Sequence, residues 1–329
     1  MRLLCDRHHA DLLYGIQRLF GRLEIEVYVT LGHDWWDQGY WRFGEVWGDD
    51  RLARQFLDTN ATYREVEPGL FLTFAPCHPE TPLYGVTLER ARGWSWDYVM
   101  ATVQDNQAGF HRFAQEAGAR YLYHIGNTRQ EVDWALDPLA LNASDSPMLG
   151  RGVHIGQEFD HLTTFRYRPP ERQDIITSFV NLLPLIPESW GPFAELAKLL
   201  PYEFRSFGHA APNGNLTPVA AVAEEMARAG WAYHDKPTGD GFGHIIHNWA
   251  AIGRPLIGHA RYYAGQKAET FWRDGLTCID LDRHSVYEAA QIIASVTPDQ
   301  HAQMCRAIRA VLDDTYSPER DAAAVRAVL

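Results

Sequence analysis

Hydrophobic positions along the chain fall into short apolar runs separated by stretches of helical spacing. Arg2–Cys5 reads as a first strand, and His9–Leu23 places Leu12, Leu13, Ile16, Leu19, Phe20 and Leu23 on one helical face. Ile25–Leu31 is a β-branched run and reads as a second strand. The stretch His33–Gly48, rich in Trp, Tyr and Gly, reads as a loop. Tyr98–Val103 is a further apolar run, Gly109–Gly118 has helical spacing, and Arg120–Ile125 reads as a strand ending at Gly126-Asn127.

Residues Asp133–Pro170 carry Pro, Gly, Ser and Asp with little periodicity, which predicts a connection between two halves. The alternation then restarts. Strands are expected at Asp174–Val180, Tyr202–Phe207, Gly230–His234, Leu256-Ile257 and Cys278–Leu281. Helices are expected at Trp190–Leu200, Val219–Ala229, Val286–Ser295, Pro298–Leu312 and Ser317–Leu329. Both halves therefore read as α/β with mostly parallel sheets, and the expectation is two Rossmann-like domains facing a central cleft. The boundary falls near residue 160, giving domains 1–160 and 161–329, with the last helix packing back on the first domain.

Composition narrows the class. A chain of 329 residues with 46% hydrophobic and 22% charged residues can fill two ordinary cores. The net charge of −12 counts against a protein that grips nucleic acid mainly through phosphates. No stretch is apolar enough to span a membrane. The N-terminal apolar run is too short for a signal peptide, and Cys5, Cys77, Cys278 and Cys305 form no C-x-x-C pair, so a reducing cytoplasm is expected.

The richest segment is Lys236-Pro237-Thr238-Gly239-Asp240-Gly241-Phe242-Gly243, followed by an apolar helix and then Gly253-Arg254-Pro255-Leu256-Ile257. Three glycines let the backbone turn sharply and approach a ligand. The helix presents free N–H groups and a partial positive charge at its N-terminus, which suits a pyrophosphate. Spacing puts Ile245, Ile246, Trp249, Ala250 and Ile252 on a buried side and His244, His247, Asn248 and Ala251 on the opposite stripe. Lys236 is placed to neutralise a phosphate. His244 and His247 lack a third ligand beyond Asp240, so no metal is expected.

Gly241-Phe242-Gly243, the helix, Gly253-x-Pro255 and the later Asp274–Leu281 strand resemble the donor half of GT-B glycosyltransferases over about residues 170–315. The resemblance implies a nucleotide-sugar donor, with UDP the expected nucleotide, bound at Lys236, Gly241, Gly243, His244, His247 and Asn248. The family usually carries a Glu where Asn248 stands. Asn still hydrogen-bonds a ribose hydroxyl, without charge. The resemblance also implies a basic residue against the diphosphate, for which Arg166, Arg168 and Arg205 are the candidates, and places Tyr263 and Lys267 beside the donor sugar.

Transfer with inversion needs a base at a strand end in the first half. His8, His9 and Asp11 follow the first strand, His33 and Asp34 the second, Asp105 the strand Tyr98–Val103, and His124 lies in another. The stretch Trp35-Trp36-Asp37-Gln38-Gly39-Tyr40-Trp41 is a candidate acceptor platform. Expected acceptors are a glycan, a small molecule or, by similarity of the N-terminal pattern to phage-associated transferases, a hydroxymethylated pyrimidine in DNA. A nucleotide-sugar 2-epimerase and a non-catalytic nucleotide-binding protein share the fold and stand as alternatives.

Overall fold

The computed structural model of the protein describes residues 1–7, 10–42, 62–75, 78–126, 130–144 and 151–329. The chain divides into two compact units, residues 1–159 with 318–329, and residues 160–317.

Unit 1 is built on a sheet of order β3-β4-β5-β2-β1-β6-β7-β8-β9. Its strands are β1 (Arg2–Cys5), β2 (Glu26–Thr30), β3 (Thr62–Glu67), β4 (Leu70–Ala75), β5 (His78–Val86), β6 (Tyr98–Ala101), β7 (Arg120–Ile125), β8 (Leu141–Asn142) and β9 (Val153–His154). Seven strands from β5 to β9 pair in parallel, and β3 and β4 add an antiparallel meander on the β5 edge. The centre is buried on both faces, so β1 and β6 read as unbroken apolar runs. Side chains alternate between two cores. Leu3, Cys5 and Met100 pack under helix α1 (Ala10–Gly21) together with Ala322 and Val325 of the C-terminal helix Pro318–Arg326. Leu4, Val99 and Ala101 pack on the other face with Phe110 and Phe113.

Two sequence expectations change here. Residues 133–159 are not a connection between halves, because β8 and β9 extend the unit 1 sheet. The aromatic stretch is not a free platform. It folds as the short helix α2 (Asp34–Asp37), and Trp35 is fully buried, donating its indole N–H to the Val86 carbonyl (3.1 Å). Trp35 stacks near Phe110 and meets Tyr40 edge-on, while Trp36 packs partly buried on the same core. Burying an aromatic ring in a core gains more than exposing it for an absent ligand.

Unit 2 carries five parallel strands in the order β11-β10-β12-β13-β14: β10 (Ile175–Ser178), β11 (Glu203–Ser206), β12 (Trp231–Tyr233), β13 (Leu256–Gly258) and β14 (Cys278–Asp280). Ile176, Trp231, Tyr233, Ile257 and Ile279 share one core cluster with Phe193 and Leu196 of the helix Pro187–Leu199 and Ile293 of the helix Val286–Ser295. The helix His244–Ile252 follows β12 and contacts both Val219–Arg228 and Pro298–Thr315. Buried Arg254 closes its C-terminus. Its Nη1 donates to the carbonyls of Ile252, Gly253 and Arg168, and its Nη2 to that of Ala227. Burial without a carboxylate partner pushes this guanidinium down to about 10, and the aligned helix carbonyls are what it faces instead.

Chain order reverses between β1 and β6 in unit 1 and between β10 and β12 in unit 2. In open α/β sheets, crevices for ligands form at such reversals, outside the carboxyl ends of the strands. Unit 1 fills its own crevice. Asp6, directly after β1, is fully buried and accepts from Thr102 N (2.8 Å), Thr102 Oγ1 (2.7 Å), Val103 N (3.2 Å) and Asn106 Nδ2 (2.9 Å). Burial raises its carboxyl pKa, and these donors act against that rise. Asp6→Ala is expected to leave those donors unpaired and to cost about 3–5 kcal/mol. Urea unfolding followed by tryptophan fluorescence measures it, and a loss below about 1 kcal/mol refutes the assignment.

Candidate functional site

The unit 2 reversal is different. After β12 the chain runs through a glycine-rich turn into the helix His244–Ile252, and Gly239, Gly241 and Gly243 have φ of +68°, +49° and +76°. L-residues strongly disfavour that region, so the turn depends on glycine. Gly243 is the N-cap residue and supplies no capping side chain. A helix that starts on Ser, Thr, Asp or Asn satisfies its first amides internally. This one starts on a residue that cannot do so. Gly241 and Gly243 are buried, while His244 and Ile245 are part exposed, so access is at the first helical turn.

A polar cluster braces the turn. Asp240 accepts from His234 Nε2 (2.6 Å) and pairs with Lys236 Nζ, and its own N–H donates to Gln266 Oε1 (2.9 Å). Burial alone would raise the Asp240 carboxyl, but His234 and then Lys236 override it and hold it at about 2. Tyr263 Oη accepts from Lys236 N (3.1 Å), and its ring stacks on Trp272. Asp235, fully buried, accepts from His259 N (2.9 Å) and Nδ1 (3.0 Å). His234, Asp235, Asp240 and His259 thus line the carboxyl ends of β12 and β13. Of these the sequence raised only Asp240, as a third ligand beside His244 and His247, and none of the other three.

The structure sorts the expected residues. Lys236, Gly241, Gly243, His244, His247, Asn248, Tyr263 and Lys267 gather at or beside the turn, but several in other roles than expected. His247 and Asn248 do not lie on an exposed stripe, because helices pack on both sides and leave them 4% and 7% exposed. His247 Nδ1–H donates to the Gly243 carbonyl (3.0 Å), and its ring stacks on Phe242. It holds the turn from within the core. Tyr263 is fully buried and supports the loop. Lys267 is part exposed and close enough for its charge to act on His247. Asn248 Oδ1 is buried with no hydrogen-bond partner among the described residues. Native chains rarely leave such an atom unmatched.

The structure does not bring Arg166, Arg168 or Arg205 to the turn. Arg168 N–H donates to the Ile252 carbonyl, at the far end of a nine-residue helix roughly 13 Å long, and its guanidinium pairs with Glu224. The exposed Arg166 acts on the same Glu224. Arg205 on β11 is engaged by Glu203 and Glu225. In unit 1, His8 and His9 lie outside the described residues. Asp105 lies in the 3₁₀ turn Gln104–Asn106 after β6. Asp11 in the first turn of α1 pairs with His78 Nε2 (2.9 Å), a residue 67 positions away that no local spacing indicates.

No protein-family profile and no curated protein sequence matches the chain. Solved structures do. HepE of Anabaena in complex with UDP-glucose superposes with TM-score 0.62 at 13% identity, covering 100% of both chains. Sucrose-phosphate synthase of Thermosynechococcus elongatus gives 0.62 at 10% identity over 100% of this chain and 98% of the other. A glycosyltransferase of Rickettsia africae gives 0.64 at 9% identity over 99% and 97%. At such identities the likeness defines the fold: the chain has the GT-B glycosyltransferase fold, with two Rossmann-like α/β units. Among the described residues no helix is long and apolar enough to cross a membrane.

Burial pushes His247 down to about 3 and His301, whose Nε2–H donates to the Gly230 carbonyl (2.9 Å), down to about 4. Both imidazoles are neutral in the folded state, so the unfolded chain binds more protons between those values and about 6.5. Stability is therefore expected to be full above about pH 6.5 and to fall as pH drops toward 4. Thermal midpoints from pH 7 to 4 test this. The slope should be shallower in His247→Phe, and an unchanged slope removes His247 from the account.

Proposed function

We propose that the chain is a glycosyltransferase that takes its sugar from a nucleotide donor, with the donor held by unit 2. The observation that carries this reading is the uncapped helix start on Gly243 at the unit 2 chain reversal. The diphosphate would lie against the N–H groups of the first helical turn, where the helix field favours negative charge. Among the described residues of unit 1, Asp6 fills the matching crevice with its own carboxylate. HepE, a structure of the same fold, was solved with UDP-glucose, which supports a uridine nucleotide here.

The surrounding groups fit a sugar nucleotide. Asp240 is held ionised at the turn, and an ionised carboxylate accepts hydrogen bonds from sugar hydroxyls. Asn248 Oδ1 awaits a donor, and a ribose hydroxyl supplies one. Lys236 and Lys267 add positive charge on either side of the turn, Lys236 while bound to Asp240. A diphosphate leaving group stabilised in this way departs as a weaker base. The acceptor would be carried by unit 1.

Two variants test the reading. UDP at about 100 times its dissociation constant should stabilise the wild type by about 2.7 kcal/mol. Gly243→Val should abolish that gain, because a β-branched residue at φ +76° strains the turn that sets the helix start. A full UDP shift in this variant would sink the site. Asp240→Asn should keep the UDP shift while weakening UDP-glucose binding about ten-fold. Equal loss for both ligands would mean that Asp240 shapes the turn and does not meet the sugar.

A further inference from the structure

The carboxyl edge of unit 2 holds a second polar pair beside the cluster that braces the glycine turn. Asp235 follows β12, and His259 directly follows β13, which pairs in parallel with β12. The two strand ends are pressed together. A Cβ at Gly258 would lie 2.4 Å from the His234 carbonyl oxygen, so only glycine fits there. His234 is in turn the residue whose imidazole holds Asp240. Two more bonds lace the loop after His259 to the turn, from Lys236 N to Tyr263 Oη and from Asp240 N to Gln266 Oε1. His259 therefore stands on the edge where the turn begins.

Asp235 fixes His259 from behind. The carboxylate is fully buried and accepts from both His259 N (2.9 Å) and His259 Nδ1 (3.0 Å). Tyr233 Oη lies 3.4 Å from Asp235 Oδ2 but gives its proton to the Ser189 carbonyl (2.5 Å). Among the described residues, the ion pair that Asp235 forms is with His259. With Nδ1–H turned to the carboxylate, Nε2 is the ring nitrogen left to meet something else. Nε2 has no hydrogen-bond partner among the described residues, and the side chain is 12% exposed. Tyr262 lies against the ring, with centroids 5.1 Å apart. An imidazole held on one nitrogen and open on the other suits an oxyanion, because the carboxylate behind it balances the imidazolium that forms.

The arginines expected against the diphosphate lie elsewhere, and Lys236 is bound to Asp240. We infer that His259 Nε2 donates to the sugar-bearing phosphate of the nucleotide donor, with Asp235 as the residue that positions it. The sugar-bearing phosphate is the one meant because His259 adjoins the turn through His234 and Asp240, the side assigned to the sugar. The inference rests on the reading of unit 2 as a nucleotide-sugar site. It supplies the departing diphosphate with a charge-assisted donor beyond the backbone amides of the helix start.

The test is calorimetric titration of the full chain with UDP-glucose and with UMP, which lacks the second phosphate. His259→Gln should weaken UDP-glucose binding about ten-fold and change UMP binding by less than about two-fold. Asp235→Asn should weaken UDP-glucose in the same way, because the amide cannot accept from both His259 N and Nδ1–H and the ring loses its orientation. Adding Asp235→Asn to His259→Gln should then weaken binding little further. His259 reaches solvent, so His259→Gln alone carries the test should Asp235→Asn fail to fold. UDP-glucose bound by His259→Gln as tightly as by the wild type would overturn the inference. Equal losses for UDP-glucose and UMP would overturn it too, and would mean that the pair only clamps β13 to β12. Full additivity in the double variant would remove Asp235 from its positioning role. A wild type that binds neither ligand would refute the nucleotide reading itself, whereas a wild type that binds both, unaffected by His259→Gln, leaves that reading standing and sinks this one.

Discussion

A helix that begins on a left-handed glycine cannot cap itself, and unit 2 is organised around that deficit. Gly243 at φ +76° turns the chain from β12 into the helix His244–Ile252 and supplies no capping side chain of its own. Everything nearby holds that geometry fixed. His247 ties the Gly243 carbonyl from inside, Gln266 holds the Asp240 amide, and Arg254 gathers the carbonyls at the opposite helix end. An open helix start is tolerable only where the rest of the helix is anchored, and this helix is buried along most of its length.

The two units solve the same topological problem in opposite ways. Each parallel sheet reverses its chain order once, and each reversal creates a crevice flanked by backbone donors. Unit 1 places a carboxylate of its own, Asp6, in that crevice and gains stability from the bonds it forms. Unit 2 places glycine there, which brings no carboxylate of its own. A polar group whose partner is absent from the fold is costly, and the unmatched Asn248 Oδ1 beside the turn is of that kind. The difference between the units is the strongest physical argument for assigning the anionic ligand to the second.

Much of the glycine turn was readable in advance because its signals are local. Glycine at alternate positions, an apolar helix and a Gly-x-Pro stop are consequences of backbone sterics, which act over a few residues. The side-chain roles were less readable. His247 and Asn248 follow the helical spacing of an exposed stripe, yet packing by helices from distant segments buries both. The resemblance made Arg168 a candidate against a diphosphate, yet its backbone is bonded at the far end of the helix. The antiparallel strands β3–β5 mix polar and apolar positions, and without the sheet edge that they join nothing in that pattern reveals their pairing.

The sequence alone determined the α/β alternation in both halves and the glycine turn, because each is set by periodicity or by conformations open only to glycine. Tertiary structure alone decided that Trp35 is core, that Asp11 meets His78, and that Asp240 is held by His234 and Lys236. Those contacts join residues brought together by strand order, and strand order is fixed by burial summed over the whole sheet, a quantity that no local window of sequence contains.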